Sequence, residues 1–162
     1  MNAALQMLPL RSIPAFLCPR PITGRQPPVM RLGYPLPYSW VEVYADEKGL
    51  LSLEDFPDRN VSCGISLSKT ISKVIDHINE CAGLTTYKVK VVPILHIKAL
   101  RKLKEPFVFI CVASNYLGDR SNVTPTGDDV EKLKSFLDLE DKPMWYLDAK
   151  EYVWADRELS RR

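Results

Sequence analysis

The sequence predicts an α+β fold: a mixed or antiparallel sheet of about four to five strands, with two helices on one face. Two observations carry that prediction. Between Thr86 and Ala113, two apolar runs rich in Val, Ile, Phe and Tyr flank a short basic connector. Ser66 to Ala82 and Gly127 to Leu137 each carry an apolar stripe at helical spacing.

Composition sets the frame. A chain of 162 residues with 46% hydrophobic and 26% charged content fits one ordered domain that needs neither a disulfide nor a metal to hold its core. A net charge of +2 provides no global field to select nucleic acid or a membrane surface. The charges are nonetheless segregated. Arg11, Arg20, Arg25 and Arg31 precede the first acid at Glu42, a basic middle follows, and acids dominate from Glu105 onward. No apolar run is long enough for a helical span. The opening residues make a poor signal sequence, and their acid-free, arginine-bearing character leaves a mitochondrial presequence as the alternative to a cytoplasmic or nuclear location.

In chain order, residues 1–32 hold Pro9, Pro14, Pro19, Pro21, Pro27 and Pro28 and read as a proline-rich arm. A single domain is expected over 33–158, with a frayed tail at 159–162. Tyr34-Pro35-Leu36-Pro37-Tyr38 reads as a rigid lead into the first strand, with a docking peptide for a proline-recognising domain as the functional alternative. Ser39 to Tyr44 alternates and is expected as a strand. Asp46-Glu47-Lys48-Gly49 is then its turn and Leu50 to Leu53 its hairpin partner. Val61 to Ile65 is a short further strand.

The first helix follows. Ile71, Val74, Ile75, Ile78 and Cys81 form its stripe, and Gly83 ends it. Tyr87 to Leu95 and Pro106 to Ala113 are the two strands around which the chain is organised. The unbroken second run predicts burial on both faces. In the second helix, Val130, Leu133, Phe136 and Leu137 line one side, while Asp128 and Asp129 sit favourably against the helix dipole. Pro143 to Leu147 is a last strand, followed by the aromatics Tyr152 and Trp154. Hairpin, helix, strand is an order compatible with a β-grasp; a split βαβ arrangement is the other possibility.

Tests for chemistry return little. Lys69-Thr70 opens a helix, but Cys63 and Ser68 stand where a phosphate loop needs glycine. Cys18, Cys63, Cys81 and Cys111 show no metal spacing and suit reduced thiols; Cys81 and Cys111 are expected in the core. No cofactor and no metal are expected. A cysteine nucleophile would be Cys63 with His77 or His96 as base. The strongest lead is basic: Lys88, Lys90, Lys98, Arg101, Lys102 and Lys104 could form a positive strip for an acidic protein or peptide, or weakly for nucleic acid. Trp145 and Trp154 are candidate contact aromatics. The reading is therefore an intracellular, non-enzymatic binding or regulatory module, with the small cysteine enzyme and the nucleic-acid binder as alternatives.

Overall fold

The computed structural model describes residues 9–19, 26–52, 68–85, 87–94, 106–116 and 127–151. Its elements run β1 (Met30–Pro37), α1 (Tyr38–Glu47), α2 (Ser68–Cys81), β2 (Lys90–Val91), β3 (Phe107–Ser114), α3 (Gly127–Phe136) and β4 (Met144–Leu147), with a short 3-10 turn at Ala15–Leu17. The strands form a four-stranded antiparallel sheet in the order β2-β3-β1-β4. This is the expected α+β architecture, with three helices among the described residues rather than two.

β3 is central and buried almost along its length, as its unbroken apolar run requires. β1 is the other central strand, although it carries Pro35 and Pro37. The geometry explains why both are tolerated. Tyr38 N donates to Pro106 O at 2.9 Å, so alternate residues Leu36 and Tyr34 point their N–H groups at β3. Pro35 and Pro37 face the other way, where β4 pairs only with Met30 to Gly33. No ladder bond is lost there. The stretch expected as a polyproline lead is thus strand, and Tyr34 and Leu36 are core residues rather than a docking peptide.

The expected strand at Ser39–Tyr44 is corrected to the helix α1. The residues following Pro37 bury Val41, Tyr44 and Ala45, which are three and four apart, against the sheet. Asp46 to Gly49 is the helix end, not a hairpin turn. Gly49 N bonds Asp46 O at 3.1 Å and Leu50 N bonds Ala45 O at 2.7 Å, a Schellman pair closed by Gly49 at φ 65°. Among the described residues, no hairpin precedes α2. The expected short strand at Val61–Ile65 lies outside the described residues.

All three helices share one face of the sheet. Val41, Tyr44 and Ala45 of α1, Val74 and Ile78 of α2, and Leu133 of α3 with the adjoining Leu137 join Tyr34, Leu36, Val108, Ile110 and Val112 in one core. The stripe expected on α2 is confirmed at Val74 and Ile78, with Ile71 and Ile75 partly buried. Cys81 is exposed, against expectation, because the helix ends there and the chain turns away at Gly83, φ 64°. Asn79, off the apolar stripe, ties α2 to the residue before β2: its amide donates to Val89 O at 3.0 Å and accepts from Val89 N at 2.7 Å.

Among the described residues, the opposite face is covered without α-helices. After β2 the chain bridges Ile94 to Asp148, and Ala149 N bonds Pro93 O at 3.1 Å. Ile94 thereby packs on Phe109, Cys111 and Tyr146, whose rings meet edge to face at 4.9 Å where Phe109 and Tyr146 touch.

The proline-rich segment lies on the sheet in its described part. Leu17 is 0% exposed and packs with Met30 and Leu147, flanked by Leu10, Ile13 and Trp145. Leu10 and Trp145 exchange both backbone bonds, at 3.0 and 2.8 Å. The Asn115 side chain accepts from Met30 N at 2.8 Å and donates to Leu17 O at 2.8 Å and Pro28 O at 3.0 Å. Residue 32, where the arm was expected to end, lies inside β1.

Candidate functional site

Among the expected contact residues, Lys88, Lys90 and Trp145 are described; Lys98, Arg101, Lys102, Lys104 and Trp154 lie outside the described residues. Tyr87 and Val89 are buried in the helix-side core, so the alternation turns Lys88 and Lys90 toward the second face. Lys88 is exposed, whereas Lys90 is half-buried on β2 opposite Cys111. Trp145 belongs to β4, at the other edge of the sheet. The lysine pair and the tryptophan are therefore separate surfaces.

The lysine side includes a buried polar group. Arg31, Cys111 and Asp148 share the second face with Lys90, and Arg31 Nε donates to Asp148 Oδ2 at 2.8 Å. Burial pushes the Cys111 thiol up to about 11, with Arg31 and Lys90 pulling against it, and its Sγ donates to Ala113 O at 3.2 Å. A thiol held neutral in this way is a poor nucleophile. Cys63 and His96 lie outside the described residues. His77 shares a hydrogen bond of 3.0 Å with the Tyr44 hydroxyl, on the helix side of the sheet.

Trp145 lines a groove of about 680 Å³. Leu32 and Trp145, cross-strand partners on β1 and β4, form its floor. Val130, Glu131 and Lys134 of α3, the connection from Glu140 to Pro143, Met144 of β4 and Arg11 line the rest of it. The groove exists because the helices cover only the β3 side of β1, while the proline-rich segment covers the start of β1 and β4. Apolar groups line the bottom, and Glu131, Glu140, Asp141, Arg11, Lys134 and Lys142 ring it with both signs of charge.

One buried polar group lies close to this groove. Tyr34, two residues from Leu32 on the same strand face, is 4% exposed, and its hydroxyl has no hydrogen-bond partner among the described residues. Burial, reinforced by Glu131 and Asp141 of the groove walls, pushes its pKa up to about 12, so it remains a neutral donor. Sequence reasoning found Trp145 but missed Leu32 and Tyr34, because the prolines around them disguised β1. Pairing the two apolar positions 32 and 34 on an alternating strand would have been the signal.

Among the described residues no cluster of three or more His, Cys, Asp or Glu could hold a metal ion, and no helix is long and apolar enough to cross a membrane. No family model, no curated protein and no solved structure matches the chain.

Proposed function

We propose that this chain is a non-enzymatic binding or regulatory module whose partner docks in the groove above Leu32 and Trp145. The observation that carries the reading is the half-buried Trp145 ring on the floor of a 680 Å³ groove with a charged rim. A large aromatic ring set in an apolar depression supplies contact area with little loss of side-chain freedom, and the rim fixes orientation. The test is capture of partners from the native cell on immobilised full chain, comparing wild type with Trp145→Ala and with the rim variant Lys134→Glu. A protein retained by wild type and lost by both variants, whose melting transitions are unchanged, is the expected result. Partners retained equally by all three would overturn the assignment.

Lys88, exposed just before β2, supports a second reading, an acidic protein or peptide recognised by the basic residues Lys88, Lys98, Arg101, Lys102 and Lys104 of the sequence. Replacing Lys88 with glutamine separates it from the groove, which Lys88 does not line. The free thiols of Cys18 and Cys81, both exposed, support a reducing cytoplasmic or nuclear compartment.

A further inference from the structure

Away from the Trp145 groove, α1 and the end of α3 enclose a second crevice of about 290 Å³, bounded by Trp40, Tyr44, Glu47, Lys48, Phe136 and Asp138. We propose that this crevice binds a quaternary ammonium group. The site does not depend on the docking reading above.

Aromatic faces come first. Trp40 and Tyr44, one turn apart on α1, stack at 4.9 Å with 16° between their planes. Phe136 meets the Tyr44 ring at 6.5 Å and 61°, so α3 closes the aromatic corner from the other side. Trp40 and Phe136 remain partly exposed, and the neighbouring Val43 is 59% exposed, which leaves the crevice open to solvent.

Charge comes second. The carboxylates of Glu47 and Asp138 line the crevice against the single cation of Lys48, so its lining is net negative. Asp138 adopts a left-handed backbone, φ 51°, just past the end of α3.

A resident cation is the third observation. Lys48 Nζ lies 6.0 Å from the centroid of the Tyr44 ring, so this corner already receives an ammonium from its own helix. That distance is about the outer limit for attraction between a cation and a ring face. A primary ammonium holds its water strongly, which keeps Lys48 at that limit. A fully methylated ammonium carries the same charge with an apolar surface and sheds less bound water on reaching the rings. Such a group is therefore the ligand this lining favours, and Lys48 is its intramolecular competitor.

The experiment titrates the full chain with choline, at constant ionic strength, and follows the indole N–H resonance of Trp40. The same titration is run with choline's uncharged analogue, in which carbon replaces the nitrogen. A cation–ring attraction of about 0.5–1 kcal/mol corresponds to choline binding roughly two- to five-fold more tightly than the analogue. Lys48→Met should tighten choline binding by removing the competitor, and Phe136→Leu should weaken it, with both variants retaining the wild-type melting transition. A trimethyllysine peptide that binds more tightly than choline would assign the group to a modified protein; the reverse would assign it to a free amine. Absence of a saturable shift in both wild type and Lys48→Met, or equal binding of choline and its analogue, would overturn the proposal.

Discussion

Arg31 Nε donates to Asp148 Oδ2 at 2.8 Å, joining the second residue of β1 to the residue that follows β4. Their side chains are 13% and 4% exposed. Asp148 is heavily used at this point. Its Oδ1 accepts from Lys150 N at 2.8 Å and Glu151 N at 3.0 Å, and its own N–H donates to Val29 O. The bridge to Ile94 that closes the second face starts from the same residue. Removing the carboxylate strands a buried guanidinium and two backbone donors together.

Asp148→Ala should therefore cost about 3–5 kcal/mol, the scale of breaking a buried pair from one side. Arg31→Met leaves the Asp148 turn intact and should cost less. The double variant should be less destabilised than the sum of the singles, and urea unfolding of all four proteins measures the coupling. Strict additivity would mean that the pair contributes nothing beyond its separate contacts.

The proline-rich segment makes the next prediction. Asn115 satisfies three backbone groups of this segment, at Leu17, Pro28 and Met30, and the hydroxyl of Tyr116 donates to Pro27 O. Asn115→Ala leaves buried donors and acceptors unmatched at one stroke, and a loss on the order of 3 kcal/mol is expected. A chain beginning at Val29 also loses Leu17 from above Met30 and Leu147, and should be less stable than wild type by at least as much. Unfolding midpoints of the two variants against wild type decide it; an unchanged midpoint for the shortened chain would show that the segment is an ornament on an independent domain.

Alkaline pH should weaken the fold well before it reaches ordinary tyrosine chemistry in the native state. Burial pushes Tyr34 and Tyr146 up to about 12 and Cys111 up to about 11, and Tyr87 higher still. Each raised acid remains neutral in the folded chain while its unfolded counterpart ionises. The stability it contributes is complete below the unfolded pKa, near 9.0 for the thiol and 10.0 for the phenols, and is lost as pH rises toward the folded value. Each such group removes about 1.4 kcal/mol per pH unit inside its window. Urea midpoints should fall progressively above about pH 9, while difference absorbance shows tyrosinate appearing with unfolding rather than ahead of it. Tyrosinate that accumulates in the still-folded protein would contradict the burial.

These elements differ in how far the sequence revealed them. β3 was legible because an unbroken apolar run has few uses other than a strand covered on both faces. α2 was legible at Val74 and Ile78 because a stripe three and four residues apart is a local signal. β1 was not. Prolines argue against a central strand, and only the short reach of β4 makes Pro35 and Pro37 acceptable, a fact about the partner strand. α1 failed for a related reason: Ser39 to Tyr44 satisfies both periods, and packing of Val41 and Ala45 on the sheet decides between them. Trp145 was visible as an aromatic near a strand. Its groove was not, since Leu32, Val130 and Lys134 reach it from distant parts of the chain. Trp40, Tyr44 and Lys48 are four residues apart, a spacing that puts them on one side only because α1 is a helix.

The outer edge of β2 supplies the last prediction. Val92 N bonds Phe109 O at 3.3 Å, so this strand directs Val92 and Lys90 at β3 and turns the N–H and C=O of Val89 outward. An outward-facing backbone pair on an edge strand is a template for another chain. Here the amide of Asn79 occupies both groups, accepting at 2.7 Å and donating at 3.0 Å, as a neighbouring strand would. Asn79→Ala uncovers them and removes the tie between α2 and the sheet; a loss of about 1–3 kcal/mol is expected. Asn79→Asp keeps the acceptor for Val89 N but sets a carboxylate oxygen against Val89 O, so it should recover only part of that stability. Self-association should follow the same order. Light scattering during prolonged incubation below the melting point should rise fastest for alanine, more slowly for aspartate and least for wild type. An alanine variant as soluble as wild type at equal unfolded fraction would show that Asn79 holds the helix in place without guarding the edge.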